Sequence, residues 1–254
     1  MRRLDDPALR PRSRDYDIAA FRAAYRKLLV PRWYRGWMHL GFTVGLLGAV
    51  LAVALPWMIG AGAWPWLTLA VTLVLGNLTV YVVHRYPLHR RLPGMGAAYD
   101  AHTRLHHFFF TYEHNVCTAR RDFHILLFPP EIVASVALGV APLGGLTLGW
   151  LAGAAHGAAF AAGAAIYFAL YEVFHSISHL GDQAVVLRIP LLGPWFRAMR
   201  EHHRRHHHLG LMGRYNFNIV APLGDWLAGT VYRGPWPPGR AGAGLDVDPR
   251  AAGE

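Results

Sequence analysis

The sequence predicts an all-α integral membrane protein with four transmembrane helices in two hairpins. Two long stretches, 36–83 and 132–171, contain no Asp, Glu, Lys or Arg. Because a helix crosses a bilayer with about 20 apolar residues, each stretch can hold two spans. Apolar residues make up 54% of the chain and charged residues 16%, against about 25% charged residues in soluble domains. This composition excludes an ordinary soluble fold.

The boundaries of the four spans follow from the apolar stretches, to within about four residues at each end. The predicted spans are Trp37–Met58, Trp64–His84, Ile125–Leu146 and Leu151–His175. Tryptophans lie near several of these ends, where amphipathic rings prefer to sit. The fourth span carries three glycines that would let a neighbouring helix approach closely: Gly153, Gly157 and Gly163.

The positions of the basic residues predict the orientation in the membrane. All 25 Lys and Arg fall in 1–35, 85–121 or 188–250. The short connections predicted near Gly60–Ala63 and Gly144–Gly153 carry none. By the positive-inside rule, both termini and a helical cap formed by the polar segments lie on the cytoplasmic side.

Three regions are predicted along the chain: a basic cytoplasmic N-terminal segment (1–35), a membrane domain (36–233) and a disordered C-terminal tail (234–254). The N-terminal segment is too long and too polar for a cleaved signal peptide, and Pro, Gly, Arg and Asp dominate the tail. The net charge of +10 fits a basic collar against anionic lipid, so no nucleic-acid partner is expected. One Lys (Lys27) against 24 Arg, with abundant Ala and Gly, suggests a GC-rich genome. This hints at a bacterial chain, and hence at the inner membrane.

The histidines are concentrated where the spans end. All except His39 and His156, which are predicted to be ordinary packed residues, fall in 84–124 or 175–208. Spacings of three or four residues place two imidazoles on one face of a helix. The sets are His84-x4-His89, His102-x3-His106-His107, His175-x3-His179 and His203-x2-His206-His207.

These ten imidazoles predict a site for two metal ions in the cap, with about five ligands each. Imidazole ligands suit Fe, Zn, Cu or Ni rather than Ca or Mg. Because Cys117 is the single cysteine, a thiolate cage is excluded. A kink at Pro87 would let His84 and His89 turn toward one site. The zinc-protease motif His-Glu-x-x-His is missing from the sequence.

Other polar residues near the histidines are candidates for groups that orient the ligand rings. They are Asp122, Glu172, Asp225 and His124. His124 and His114 could also bind metal, and the sequence leaves both roles open. His202 and His208 flank the last set and are predicted to be spectators.

The combined pattern resembles the fatty acid hydroxylase / sterol desaturase superfamily of membrane di-iron enzymes. The resemblance covers about Trp64 to Val231 and includes the four histidine sets. Its closing segment is Asn216-Phe217-Asn218-Ile219-Val220-x5-Trp226-Leu227-Ala228-Gly229-Thr230, with Asp225 before the Trp. One departure is that His102-x3-His106-His107 stands where many relatives have His-x2-His-His, which leaves the role of His102 open.

The resemblance implies that the ten histidines are ligands of two iron ions, which zinc can replace in recombinant protein. It also implies an enzyme that uses O2 to hydroxylate or desaturate an unactivated C–H bond of a lipid, such as a fatty acyl chain or a sterol. Electrons would come from a separate ferredoxin or cytochrome partner. No catalytic side chain beyond the metal ligands is expected, and hydroxylation is favoured over desaturation.

Three other interpretations stay open from the sequence. The nearest is a carotenoid hydroxylase. A membrane metal-binding or transport protein could use the histidines as a relay, although a transporter should carry polar groups at mid-membrane. The third is a structural zinc protein without redox activity.

Overall fold

A computed structural model of the chain describes residues 6–11 and 16–235, and every regular element within them is helical. The all-α prediction is confirmed for this part of the chain. From residue 236 on, the predicted disordered tail lies outside the described residues. The helices, with the 3-10 and π turns that continue them, are α1 (Ile18–Leu28), α2 (Gly36–Met58), α3 (Trp64–Leu88), α4 (residues 96–109), α5 (Phe123–Leu126), α6 (Pro130–Ala152), α7 (Ala154–Ser178), α8 (Leu192–His206) and α9 (Leu223–Leu227).

Four of these helices, α2, α3, α6 and α7, are long and apolar enough to cross a membrane. The chain is therefore an integral membrane protein. The link from α2 to α3 turns at Gly60 (φ +79°) and Gly62 (φ +76°). Glycine adopts this left-handed backbone conformation without steric cost, which is why the chain can reverse there in a few residues.

The predicted bounds of the third span were wrong. The helix runs over Pro130–Ala152 rather than Ile125–Leu146. Pro130 forces an extended conformation on Pro129 (ψ 141°) and then serves as a first helical residue. The predicted loop at Gly144–Gly153 is also wrong, because the helix continues to Ala152 and Gly153 alone (φ +102°) links it to α7.

The chain forms two compact units. The first, the span unit, comprises Trp37–Thr79 and Leu127–Val173. Within it, Gly157 brings α7 against α6, since a Cβ atom at this position would lie 2.2 Å from the Gly145 carbonyl oxygen. The small residues thus allow the backbone contact on which helix packing in lipid depends.

Both histidines of the span unit have hydrogen-bond partners inside it. His39 Nε2 lies 2.9 Å from the carbonyl oxygen of Phe128. His156 Nδ1 lies 2.7 Å from the hydroxyl of Thr68. These contacts are typical of structural histidines.

The second unit, the histidine unit, comprises the described residues of Met1–Gly36 with Val80–Leu126 and Phe174–Glu254. Helix α1 is capped by Asp17, whose carboxylate accepts hydrogen bonds from two amides of the first turn. Its apolar face buries Phe21 and Tyr25 in a core that includes Phe109. The N-terminal segment therefore packs against the part of the chain that carries the second histidine set.

Candidate metal centre

The ten histidines of the four sets come together in the histidine unit. His84 lies in the last turn of α3 and His175 in the last turn of α7. The others lie on α4 and α8 or directly after a helix end. Two groups form, in each of which one ring nitrogen per histidine lies within 4.8 Å of the others. The groups are His84, His89, His102, His107 and His206, and His106, His175, His179, His203 and His207.

Two π-helical turns set the ring positions in the first group. They span His84–Leu88, which contains Pro87, and Asp100–His106. A π turn closes with i→i+5 hydrogen bonds and so accommodates one more residue than an α turn. This absorbs the extra residue between His102 and His106, and His102 Nε2 lies 2.9 Å from His84 Nε2. The structure thus places His102 with the other candidate ligands.

Backbone carbonyl oxygens fix the orientation of five imidazoles. In each case Nδ1 donates to the carbonyl, so the proton is assigned to Nδ1 and the bare Nε2 faces the group. The pairs are His84 with Phe217, His106 with Ile125, His179 with Asn115, His206 with Tyr215 and His207 with Phe110.

A hydroxyl does the same for His89. The Thr103 hydroxyl donates its proton to the Leu88 carbonyl at 2.6 Å. Its oxygen is then left to accept from His89 Nδ1, which lies 3.1 Å away. Because the Nδ1 of His89 carries the proton, its Nε2 is bare as well.

The spacing of these bare nitrogens fits a metal ion. His89 Nε2 and His206 Nε2 lie 2.9 Å apart with no proton between them, so their lone pairs repel unless a cation binds both. Adjacent ligands at right angles, each about 2.1 Å from an ion, would lie about 3 Å apart. In the second group, His179 Nε2 is buried without a hydrogen-bond partner among the described residues. Both groups therefore fit an ion held by imidazole nitrogens.

Burial also favours the protonation state that binds metal. It lowers the pKa of His106 to about 4, and it lowers the pKa of His107 and His203 well below the usual 6.5. Repulsion from neighbouring imidazoles adds to the effect at His107 and His203. The rings are therefore neutral at pH 7, as a metal ligand must be.

Asp225 acts on the site through the backbone rather than through a grouped histidine. Its carboxylate accepts hydrogen bonds from the amides of Phe217 (3.0 Å) and Asn218 (2.8 Å). The Phe217 carbonyl in turn accepts from His84. The Asp225 carboxylate also accepts from the Thr230 hydroxyl at 2.7 Å. It lies 3.1 Å from His202 Nε2 as well, a residue that the sequence suggested to be a spectator.

The other three candidate orienting residues take different partners. Asp122 accepts two hydrogen bonds from Arg26 of α1, at 2.7 and 2.8 Å. His124 Nδ1 lies 2.8 Å from the hydroxyl of Tyr25. In the span unit, Glu172 accepts from the Phe128 amide at 2.9 Å. These contacts join helices and segments, as caps and ion pairs do.

Sequence reasoning missed most of the groups that hold the rings. Five are backbone carbonyls, which every residue possesses and no side chain reveals. Thr103, a hydroxyl directly after His102, was the one available signal. The imidazole of His114 belongs to neither group. The backbone carbonyl of His114 accepts a hydrogen bond from Arg22 of α1 at 2.6 Å.

Comparison with known proteins identifies one family. The model of the fatty acid hydroxylase family matches residues 69–230, a stretch that contains all ten grouped histidines. No curated protein and no solved structure matched the chain.

Proposed function

The chain belongs to the fatty acid hydroxylase family, within the superfamily that includes the sterol desaturases, and from this premise we propose a membrane-bound di-iron oxygenase. It would hydroxylate an unactivated C–H bond of a lipid such as a fatty acyl chain or a sterol, with desaturation of that bond as the second candidate reaction. The observation that carries the proposal is the pair of five-histidine groups in which one ring nitrogen from each histidine converges with the others.

Each group would hold one iron ion, with the ligands His84, His89, His102, His107 and His206 for one and His106, His175, His179, His203 and His207 for the other. Bound iron supplies the activation of O2 that hydroxylation of such a bond requires. The protein holds six of the ten imidazole rings by their Nδ1 protons and keeps the Nε2 atoms of these six directed inward. The buried surroundings exclude water from the site.

The positions of His84 and His175 support a lipid substrate. Both lie in the last turns of candidate spans, so the proposed site adjoins the end of apolar helices. The proposal is that an apolar chain enters from the bilayer at these helix ends. A carotenoid hydroxylase would use the same geometry on another lipid class. A transport relay is less well supported, because the histidines cluster at helix ends and not along the spans.

The electrons would come from a ferredoxin or cytochrome partner. We also propose the bacterial inner membrane as the location, with the termini and the histidine unit on the cytoplasmic side. This orientation rests on the basic residues, which all lie outside the candidate spans Gly36–Met58, Pro130–Ala152 and Ala154–Ser178, with Arg85 in the last turn of Trp64–Leu88.

Metal analysis with Mössbauer spectroscopy on anaerobically purified, detergent-solubilised protein tests the proposal. Close to two coupled irons per chain supports it. One ion per chain, or zinc that iron cannot replace, would contradict it. Lipids of cells expressing the chain should then gain oxygen from labelled O2, whereas cells expressing His206→Ala should not.

A further inference from the structure

The segment that joins α7 to α8, together with the first turn of α8, presents apolar side chains outward. We call residues 185–195 the apolar turn. Val185 is 80% exposed, Leu191 93% and Leu192 55%, and Trp195 is 40% exposed. The single charged residue within it is Arg188. Exposed apolar side chains this close together in the sequence favour a binding interface over a water-facing loop.

The backbone of the apolar turn is held in an unfavourable conformation. Leu191 has φ +66°, a region that a leucine rarely occupies. The amide of Gly193 bonds the Ile189 carbonyl at 2.7 Å, and a Cβ atom on Gly193 would lie 2.6 Å from the Leu187 carbonyl oxygen. These close backbone contacts fix the conformation of the turn. The Leu191 side chain is therefore held outward despite the strained backbone.

The position of the apolar turn in the chain identifies its partner. It begins seven residues after Ser178, the end of the span α7. Seven extended residues reach at most about 25 Å, and two turn hydrogen bonds, from the Ala184 amide to Gly181 and from the Leu187 amide to Ala184, shorten the path further. Val185 therefore lies within that distance of the end of α7. Trp195 is half exposed, as interfacial tryptophans are. Arg188 and Arg197 are exposed at the turn and beside it, where they can meet lipid phosphates.

We propose that the apolar turn inserts into the interfacial region of the bilayer that α7 crosses, as a membrane contact additional to the four spans. Leu191 and its apolar neighbours would enter the acyl boundary. Helix α8 begins at Leu192, carries His203 and His206, and is followed directly by His207. The membrane would thus hold the N-terminal end of the helix that positions these three candidate metal ligands.

Spin labelling of the full-length protein in liposomes tests this inference. A Cys117→Ser background removes the single cysteine, and labels are placed at Leu191→Cys. Leu143→Cys on α6, 68% exposed in a candidate span, is the lipid reference. Arg214→Cys, in an exposed loop, is the water reference. The measurement is the collision rate of each label with O2 and with a water-soluble nickel chelate.

We expect the label at residue 191 to resemble the one at residue 143, with O2 collisions dominant. Nickel collisions equal to those at residue 214 would overturn the inference. Protection from both reagents that is lost when the protein is diluted with lipid would also overturn it, because a second copy of the chain would then cover the turn. Val185→Cys repeats the measurement if Leu191→Cys does not fold.

Discussion

The Nε2 atoms of His89 and His206 lie 2.9 Å apart, although the proton of each ring is held at Nδ1. Thr103 accepts from His89, and the Tyr215 carbonyl accepts from His206. A contact between two bare nitrogens is repulsive on its own. A cation bound between the two nitrogens would remove this repulsion, and this arrangement leads to the first prediction.

Replacing His206 or His89 by Ala should remove about one of two bound ions per chain. Each substitution deletes a nitrogen from the first group and leaves the second group complete. His208→Ala, next to His207 but outside both groups, should keep the full metal content. Elemental analysis of purified protein measures the ratio, and full metal content in both His206→Ala and His89→Ala would refute the assignment.

Deleting Arg104 should leave the metal content unchanged. Residues 100–106 form a π turn that holds one residue more than an α turn, and Arg104 is a partly exposed member of it. Without it, an α turn can still join Thr103 to Leu105 and keep His102 near His106. The spacing becomes His-x2-His-His, as in many relatives.

The matched control for that deletion is removal of Arg204, from the regular helix α8. There the loss of one residue rotates His203 by about 100° relative to His206, so both ions should be lost. Metal content and the helical circular dichroism of the two deletions, measured together, separate local disruption from misfolding. Metal loss in the Arg104 deletion alone would show that the π turn itself is required.

Asp225→Asn should weaken metal binding by about 10- to 100-fold, as loss of groups behind a ligand does in other sites. In the variant, the side-chain N–H groups of Asn would face backbone amides that donate to the carboxylate in the native protein. The Phe217 carbonyl, which accepts from His84, would then move. Competition with a chelator measures the affinity.

Asp122→Asn is the control for Asp225→Asn. Both carboxylates are fully buried, and Asp122 is paired with Arg26. Loss of either carboxylate should lower the free energy of unfolding by about 3 kcal/mol, measured by chemical unfolding. Only Asp225→Asn should change the metal affinity, and equal changes in both variants would assign Asp225 a purely structural role.

The metal-free protein should lose stability as the pH falls below about 6.5. Burial lowers the pKa of His106 to about 4, so between these values the unfolded chain binds the proton and the folded chain does not. Stability should fall by up to about 1.4 kcal/mol per pH unit for each such histidine. Thermal unfolding in detergent at several pH values measures the slope.

No effect of this kind is expected above about pH 7, where the imidazoles of both folded and unfolded chains are neutral. Bound metal should flatten the slope, because it competes with protons for the same nitrogens. A metal-free protein with constant stability from about pH 7 to about pH 5 would show that the grouped rings are accessible to protons when folded.

The sequence was sufficient to predict the spans where composition alone decides. The bounds of α2 follow from a charge-free run that ends in a glycine turn. Prediction from the sequence failed at α6, because Ile125 is as apolar as the span itself. Only the pair Pro129–Pro130 separates Ile125 from the span. It also failed at Gly144–Gly145, where glycines that look like a loop are helical because α7 packs against them.

The sequence by itself determined that this is an all-α membrane protein and which ten histidines could bind metal, since both depend on residue type and short spacing. Only the tertiary structure decided how those histidines divide into two groups and whether His102 belongs. The partners that set the rings, such as the Phe217 carbonyl opposite His84, lie far away in the chain. They are backbone atoms common to all residues, so only the folded chain shows which of them a ring meets.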